Sequence, residues 1–472
     1  MMTVPDEGTF AVRAEPAAAT EATAATDPIP QGPRWLLPAG ALLLAGVLAL
    51  YLADLVSHLG YMAAMRDLVV YRDGGLIVRH VSPAYDAHRV PGSSPLYDWT
   101  GQNGVQFTYP PFAAVVFAVG SVLSWTAMRW AMTLASLAAL GLSLWLVFGA
   151  LGYRDRPAVR LGATLGVSGL ALATEPVQQT LGLGQVNLLL MLLVIADLLL
   201  GDLKGRTRWW HGFGIGIAAG VKLTPLIFIP YLLLIRRYRQ AATASAVFAA
   251  TVALGYAILP QDSRIYWVDG LFLKANRIVF LGTRGNQSLR GIVTRLAGSV
   301  NSGTIPWIIL AILVVIAGLI TASLLYRAGQ PVPAMLACAL TGLLVSPLSW
   351  DHHWVWVAPG IALLAHLGAS AGRGLIRAAW WAAAAGLVLV FAAWPQFWDA
   401  QAGLTPAGLV WYGPATYFAT GDQPWYHEFH WHGLQLLAGN SFVLAGLAGL
   451  AALAVAAVLS RAPSAAPGRL DP

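Results

Sequence analysis

A handful of residue types in this chain could do chemistry. Asp67, in Arg66-Asp67-Leu68-Val69-Val70-Tyr71-Arg72-Asp73, is an acid able to take a proton from a hydroxyl. By itself the segment fits surface ion pairs equally well, because both aspartates sit beside arginines. Lys222, in Lys222-Leu223-Thr224-Pro225, is a cation inside an apolar run, and ionisable groups at membrane depth mark function. Arg284-Gly285-Asn286-Gln287-Ser288-Leu289-Arg290 sets two guanidinium groups around a polar turn, a pattern that could clamp a phosphate; a basic loop beside a membrane is the plainer alternative. Asp351-His352-His353 joins two apolar stretches. Carboxylate and imidazole are metal ligands, but adjacent histidines point to different sides of a helix, so no metal is expected. That leaves phosphate or sugar contact beside a plain helix junction. Glu175-Pro176-Val177-Gln178-Gln179 and Gly184-Gln185-Val186-Asn187 supply amides that cap helices or bind hydroxyls. Trp398, Trp411, Tyr412, Trp425, Tyr426 and Trp431 form an aromatic segment, either an interfacial belt or a surface for sugar rings.

The elements that position these residues follow from composition. The chain has 472 residues, of which 57% are hydrophobic and 10% charged, whereas a soluble domain carries about 25% charged residues. Mean hydropathy is +0.65. So few charges cannot coat a soluble surface, and the chain is read as an all-α polytopic membrane protein. Its one cysteine, Cys338, excludes an intrachain disulfide. The net charge of +7 comes from 28 Lys+Arg against 21 Asp+Glu, gathered in short clusters between apolar runs. That is topogenic charge beside membrane lipid, so no nucleic-acid partner is expected.

Residues 1–34 read as a disordered cytoplasmic tail, 35–460 as a single transmembrane catalytic domain and 461–472 as a second cytoplasmic tail. Apolar runs suggest about ten full spans, each of roughly 20 residues. Two pieces differ. Residues 110–123 are short and open on Pro110-Pro111, which suggests a juxtamembrane or re-entrant helix. Residues 212–234 are broken at Lys222–Pro225 and flanked on both sides by basic clusters, so the chain must enter and return within them as a broken hairpin. Gly212, Gly216 and Gly220 recur every four residues there, a small-residue face for close packing. The resulting topology puts both termini in the cytoplasm. It places residues 57–126, with juxtamembrane helices, and the aromatic segment 398–436 outside, along with nearly every polar constellation named above.

Taken together, the segments resemble glycosyltransferase family 87, the polyprenol-phosphate-mannose-dependent mannosyltransferases of the GT-C superfamily. The resemblance rests on Asp67–Tyr71, Phe107-Thr108-Tyr109-Pro110-Pro111-Phe112, Gly184–Asn187, Lys222–Pro225, Asn286–Leu289 and Ser346–His353, in the family's order. It implies a GT-C bundle whose first outer loop roofs a lateral cavity. It implies a polyprenyl phosphomannose donor arriving from the bilayer and a glycolipid acceptor of phosphatidylinositol mannoside or lipomannan type. The product would be an α-(1→2) bond, formed with inversion on the outer face of the plasma membrane, without cofactor or metal. On this resemblance Asp67 is the general base. Lys222, His353 and Arg290 are candidates for the donor phosphate, and His352, Gln185, Tyr71 and Asn286 for sugar or acceptor. The chain departs from the family in extra residues between Tyr71 and Tyr97, including Pro91-Gly92-Ser93-Ser94, and in the tail and aromatic segment. Two other functions share the pattern: a transferase using another polyprenyl phosphosugar such as arabinofuranose, and a flippase for a lipid-linked sugar. No internal repeat relates the two halves, which argues against alternating access.

Overall fold

The computed structural model describes residues 35–57, 65–82, 93–98, 106–204, 209–274, 281–393, 408–412 and 427–460. The expectations for residues 1–34 and 461–472, for Pro91 and Gly92, and for Trp398, Trp425 and Tyr426 lie outside them. Among the described residues every regular element is helical, and the only bridges are the isolated pairs Thr174–Ala392 and Asn286–Trp350.

The longer helices, numbered along the chain, are α1 (Leu36–Ser57), α2 (Arg66–Val78), α3 (Pro111–Gly120), α4 (Trp125–Phe148), α5 (Pro157–Leu172), α6 (Glu175–Leu183) and α7 (Asn187–Lys204). They continue as α8 (Phe213–Val221), α9 (Phe228–Leu234), α10 (Tyr238–Ile258), α11 (Leu289–Ala297), α12 (Thr304–Arg327) and α13 (Pro331–Val345). The last are α14 (Val357–Ser370), α15 (Leu375–Phe391), α16 (Gly433–Gly439) and α17 (Ser441–Leu459). Proline in the first turn starts α3, α5, α6 and α13, where its missing N–H leaves no helical bond unmade.

Among the described residues five helices are long and apolar enough to cross a membrane, and six if the bent pair α6–α7 counts as one span. Shorter apolar helices of 10–17 residues, including α3, α5, α13 and α15, accompany them. The chain is a multi-pass membrane protein. Ile305, Ile309, Ile312, Leu313 and Ile316 on α12 stand exposed, as a lipid-facing surface requires.

Three interruptions shape the site. The α6 and α7 axes meet at 115°. The hairpin expected at residues 212–234 is present: α8 stops at Val221, Lys222 is extended (φ −147°, ψ 133°), and a 3-10 turn at Thr224–Ile227 leads into α9. Pro225 lacks the N–H that would bond the Val221 carbonyl, so the helix cannot run through. A 3-10 stretch, Asp351–Trp356, separates α13 from α14. The apolar piece after Pro110 forms the ten-residue helix α3.

Candidate active site

The first cluster gathers on α2. Asp67 and Tyr71 are four residues apart and share a face of that helix. Tyr71 is fully buried and stacks on Phe117 of α3, ring centroids 4.1 Å apart and planes 4° apart, which fixes α2 over α3. Gln185 reaches the pair from the bend between α6 and α7. Its amide nitrogen donates to the Asp67 carboxylate, and its amide oxygen accepts the Tyr71 hydroxyl at 2.6 Å. The Tyr109 hydroxyl completes the group, 2.7 Å from that of Tyr71 and 3.2 Å from the same amide oxygen. Burial first, then Tyr109 and Asp67 for Tyr71 and Asp67 for Tyr109, push both phenols above their ordinary range, so both keep their protons. Gly184 makes this approach feasible. It sits at φ +68°, and a Cβ there would lie 2.7 Å from the Cβ of Leu68 on α2.

The second cluster surrounds the hairpin tip. Lys222 Nζ donates to Asn187 Oδ1 at 2.8 Å and lies 2.8 Å from His353 Nε2. The Trp350 N–H donates to His353 Nδ1 at 3.2 Å, which turns Nε2 toward the lysine. Lys222 also lies over the Tyr109 ring, 5.7 Å from its centroid, and within electrostatic range of Asp67. The two clusters therefore share one site. A small cavity of about 50 Å³ lies beside Lys222 and His353, with apolar walls from Leu190, Met191, Phe228 and Trp356.

The remaining expected residues divide. His352 is buried next to His353, their rings 4.9 Å apart and nearly perpendicular, and its Nδ1 lies 3.0 Å from Asp351 Oδ1. Asn286 is bound into scaffold. Its amide donates to the carbonyls of Leu281 and Pro347, and its oxygen accepts the Ser349 N–H at 3.1 Å. Arg290 packs over the Trp307 ring at 4.6 Å. Arg284 packs over Trp411 at 4.5 Å and donates to its carbonyl. The arginines at the two ends of the polar turn are thus held by different tryptophans, and no clamp between them forms. The organiser of that turn is Arg295, which donates to the carbonyls of Thr283 and Asn286 and to Asn440 Oδ1.

Asn187, Tyr109 and Thr180 were missing from the expected site. Asn187 not only accepts from Lys222 but also donates to the His352 carbonyl at 2.8 Å, and Thr180 donates to the same carbonyl at 3.0 Å. The signal for the first two was present in Gly184-Gln185-Val186-Asn187 and Thr108-Tyr109-Pro110, which contain them.

Fold and site together define a polytopic membrane protein in which a carboxylate held by an amide and a lysine–histidine pair both neighbour Tyr109, beside a small cavity with apolar walls. The glycosyltransferase family 87 profile matches residues 107–347. The chain is 33% identical over 338 residues to the polyprenol-phosphate-mannose-dependent alpha-(1-2)-phosphatidylinositol mannoside mannosyltransferase of Mycobacterium tuberculosis, covering 69% of this chain and 75% of that one. It is 32% identical over 348 residues to the polyprenol-phosphate-mannose-dependent alpha-(1-2)-phosphatidylinositol pentamannoside mannosyltransferase of Mycolicibacterium smegmatis, covering 71% and 80%. No solved structure matches. The chain belongs to glycosyltransferase family 87, and it is a glycosyltransferase.

Proposed function

We propose that the protein transfers mannose from a polyprenyl phosphomannose to a phosphatidylinositol mannoside-type glycolipid, forming an α-(1→2) bond with inversion. The observation that carries the mechanism is the approach of Asp67 and Lys222 to each other, both beside Tyr109. Asp67 is the general base. The acceptor hydroxyl oxygen attacks the anomeric carbon and gives its proton to Asp67. The bond from that carbon to the phosphate oxygen breaks, and its electron pair leaves with the polyprenyl phosphate. A β-linked donor then gives an α product in one displacement. Lys222 and His353 hold the phosphate and offset the charge that develops on it. Gln185 holds Asp67 in place and is itself held by Tyr71, and His352, buried beside His353, is assigned to the sugar on the family resemblance. Asn286 supports the polar turn, its amide committed to the Leu281 and Pro347 carbonyls and the Ser349 N–H, and Arg290, stacked on Trp307, keeps its place as a candidate for the donor phosphate.

The arrangement of spans is part of the same reading. We take about ten spans, counting the shorter apolar helices, with the hairpin tip entering from the cytoplasmic side. Both termini are cytoplasmic, and the site opens to the outer face. Curated relatives acting on phosphatidylinositol mannoside and on its pentamannoside have nearly equal identity to this chain, so identity does not choose the acceptor.

The test is transfer from radiolabelled polyprenyl phosphomannose to a panel of phosphatidylinositol mannosides, by purified wild-type and Asp67→Asn protein. An α-(1→2)-mannosidase-sensitive product from the wild type, lost by about 10²–10⁴-fold in the variant, is expected for loss of a general base. Turnover retained in Asp67→Asn removes Asp67 from that role. Transfer from an arabinofuranosyl donor alone moves the donor class.

A further inference from the structure

One buried group near the site has no part in the mechanism above. Glu175, in the first turn of α6, is 0% exposed. The Trp411 indole N–H donates to its Oε1 at 3.1 Å. Its Oε2 receives no donor among the described residues, and its carboxyl faces that of Asp351 within hydrogen-bonding reach. Two carboxyl groups in contact and out of water do not both ionise, so one proton lies between them. Asp351 is the partner that keeps the negative charge, because the His352 backbone N–H donates to its Oδ1 at 2.7 Å and the His352 ring Nδ1 lies 3.0 Å from the same oxygen. That ring contact needs a hydrogen on Nδ1. His352 Nε2 then carries a lone pair, and it is buried without a partner. The Asp351 contact sets which way the ring faces. The His352 backbone carbonyl is held by Asn187 and Thr180, and the Trp350 ring lies parallel to the imidazole within 12°.

We propose that Glu175 is a positioning residue: it shares a single proton with Asp351, so that Asp351 fixes the Nδ1–H form of His352 and presents the His352 Nε2 lone pair to a hydroxyl of the transferred sugar. The proposal rests on the glycosyl-transfer reading and adds a relay, Trp411 to Glu175 to Asp351 to His352, that ties the outer aromatic segment to the sugar site. A neutral Glu175 predicts an unusual tolerance. Glutamine keeps an oxygen for Trp411 and an N–H for Asp351, and so replaces it.

The experiment uses full-length purified protein in detergent, with folding followed by size-exclusion elution and thermal unfolding. Glu175→Gln is expected to keep kcat within about threefold, and Glu175→Ala to lose about 10- to 100-fold, the range for a lost hydrogen-bond orienter. Deoxy-mannosyl donors, each lacking one hydroxyl, then locate the contact: with one of them, wild type and Glu175→Ala become equal. A Gln variant as impaired as Ala overturns the proposal, as does a deficit in Glu175→Ala that is the same with every deoxy donor. If Glu175→Ala does not fold, Glu175→Gln and the deoxy donors with Asp351→Asn decide in its place. The ¹⁵N shifts of His352 give a readout independent of turnover. The Nδ1–H form in wild type, lost in Glu175→Ala or Asp351→Asn, supports the relay even if no mannosyl donor reacts, and an Nε2–H form in wild type sinks it. Absence of any mannosyl transfer by wild type refutes the function reading alone.

Discussion

Gln185 donates from its amide nitrogen to the Asp67 carboxylate and accepts the Tyr71 hydroxyl on its amide oxygen at 2.6 Å, so one side chain both orients the proposed base and is itself oriented. The amide cannot flip without losing both bonds. An aspartate fixed this way keeps an oxygen in a set direction, which is what proton removal in a crowded site needs.

Gln185→Ala is therefore expected to lower kcat about tenfold or more while changing donor KM little, since it removes orientation and leaves the phosphate contacts. Gln185→Glu should be worse than Ala, because a second carboxylate would face Asp67 and lose the N–H donor. Steady-state kinetics on the three proteins decide it. Equal activity of Glu and Gln at this position would contradict the assignment.

Lys222 and His353 meet the phosphate in different ways. Lys222 supplies the amine, and Lys222→Met should reduce kcat by about 10²–10³-fold, as when one transition-state charge stabiliser is removed. His353→Ala should mainly raise donor KM, by about tenfold, as one hydrogen bond to phosphate is lost. Lys222→Arg should rescue poorly, because the planar fork does not fit between Asn187 and His353 where a point charge does. Donor titrations at saturating acceptor separate the two effects, and a Met variant with wild-type kcat would remove Lys222 from the site.

Asp262 clasps the segment Ser94–Tyr97. It accepts the Ser94 hydroxyl and the Leu96 N–H at 3.1 Å, and nearby Tyr97 gives its hydroxyl to the Tyr109 carbonyl at 2.9 Å. Burial raises the Asp262 carboxyl above its ordinary range, against the hydrogen bonds that lower it. An acid raised on folding contributes most to stability below its unfolded pKa and loses that contribution as pH rises through the folded one. The clasp should thus weaken from acid toward neutral pH. Asp262→Asn should flatten that slope, and Asp262→Ala should cost about 1–3 kcal/mol, the penalty for leaving buried donors unmet. Thermal unfolding at a series of pH values measures both; an undiminished slope in the Asn variant counts against the clasp.

Gly216 lets α8 lie directly on α10. A Cβ there would stand 2.6 Å from Val247 Cβ and 2.7 Å from the Ala244 carbonyl oxygen, both on the facing helix. Gly216→Ala should cost about 1–3 kcal/mol by overpacking. Gly216→Leu should push the hairpin off α10 and move Lys222 at its tip, so that transfer falls further than stability. Melting temperature compared with kcat across the two variants tests this, and a fully active Leu variant would show that α8 can shift without consequence.

Much of the molecule was legible in the sequence because the signals are local. Hydropathy identified a membrane protein, since a chain with 10% charged residues has no other way to satisfy its surface. Pro225 and Lys222 marked the broken hairpin, because a missing N–H ends a helix wherever it falls. Asp67, Tyr71 and Gln185 could be named from motif and order alone.

Tertiary structure alone decided who meets whom. Gln185 reaches Asp67 across 118 positions and Lys222 reaches His353 across 131, and no spacing rule spans such separations. Asn286 and Arg290 carry the same chemical groups as ligand-binding residues, but packing ties one to backbone carbonyls and the other to Trp307. Glu175 read as a helix start, and only the fold sets it against Asp351. Residue type fixes what a group can do, while burial and partners fix which of those things it does, and both arise only when distant segments pack.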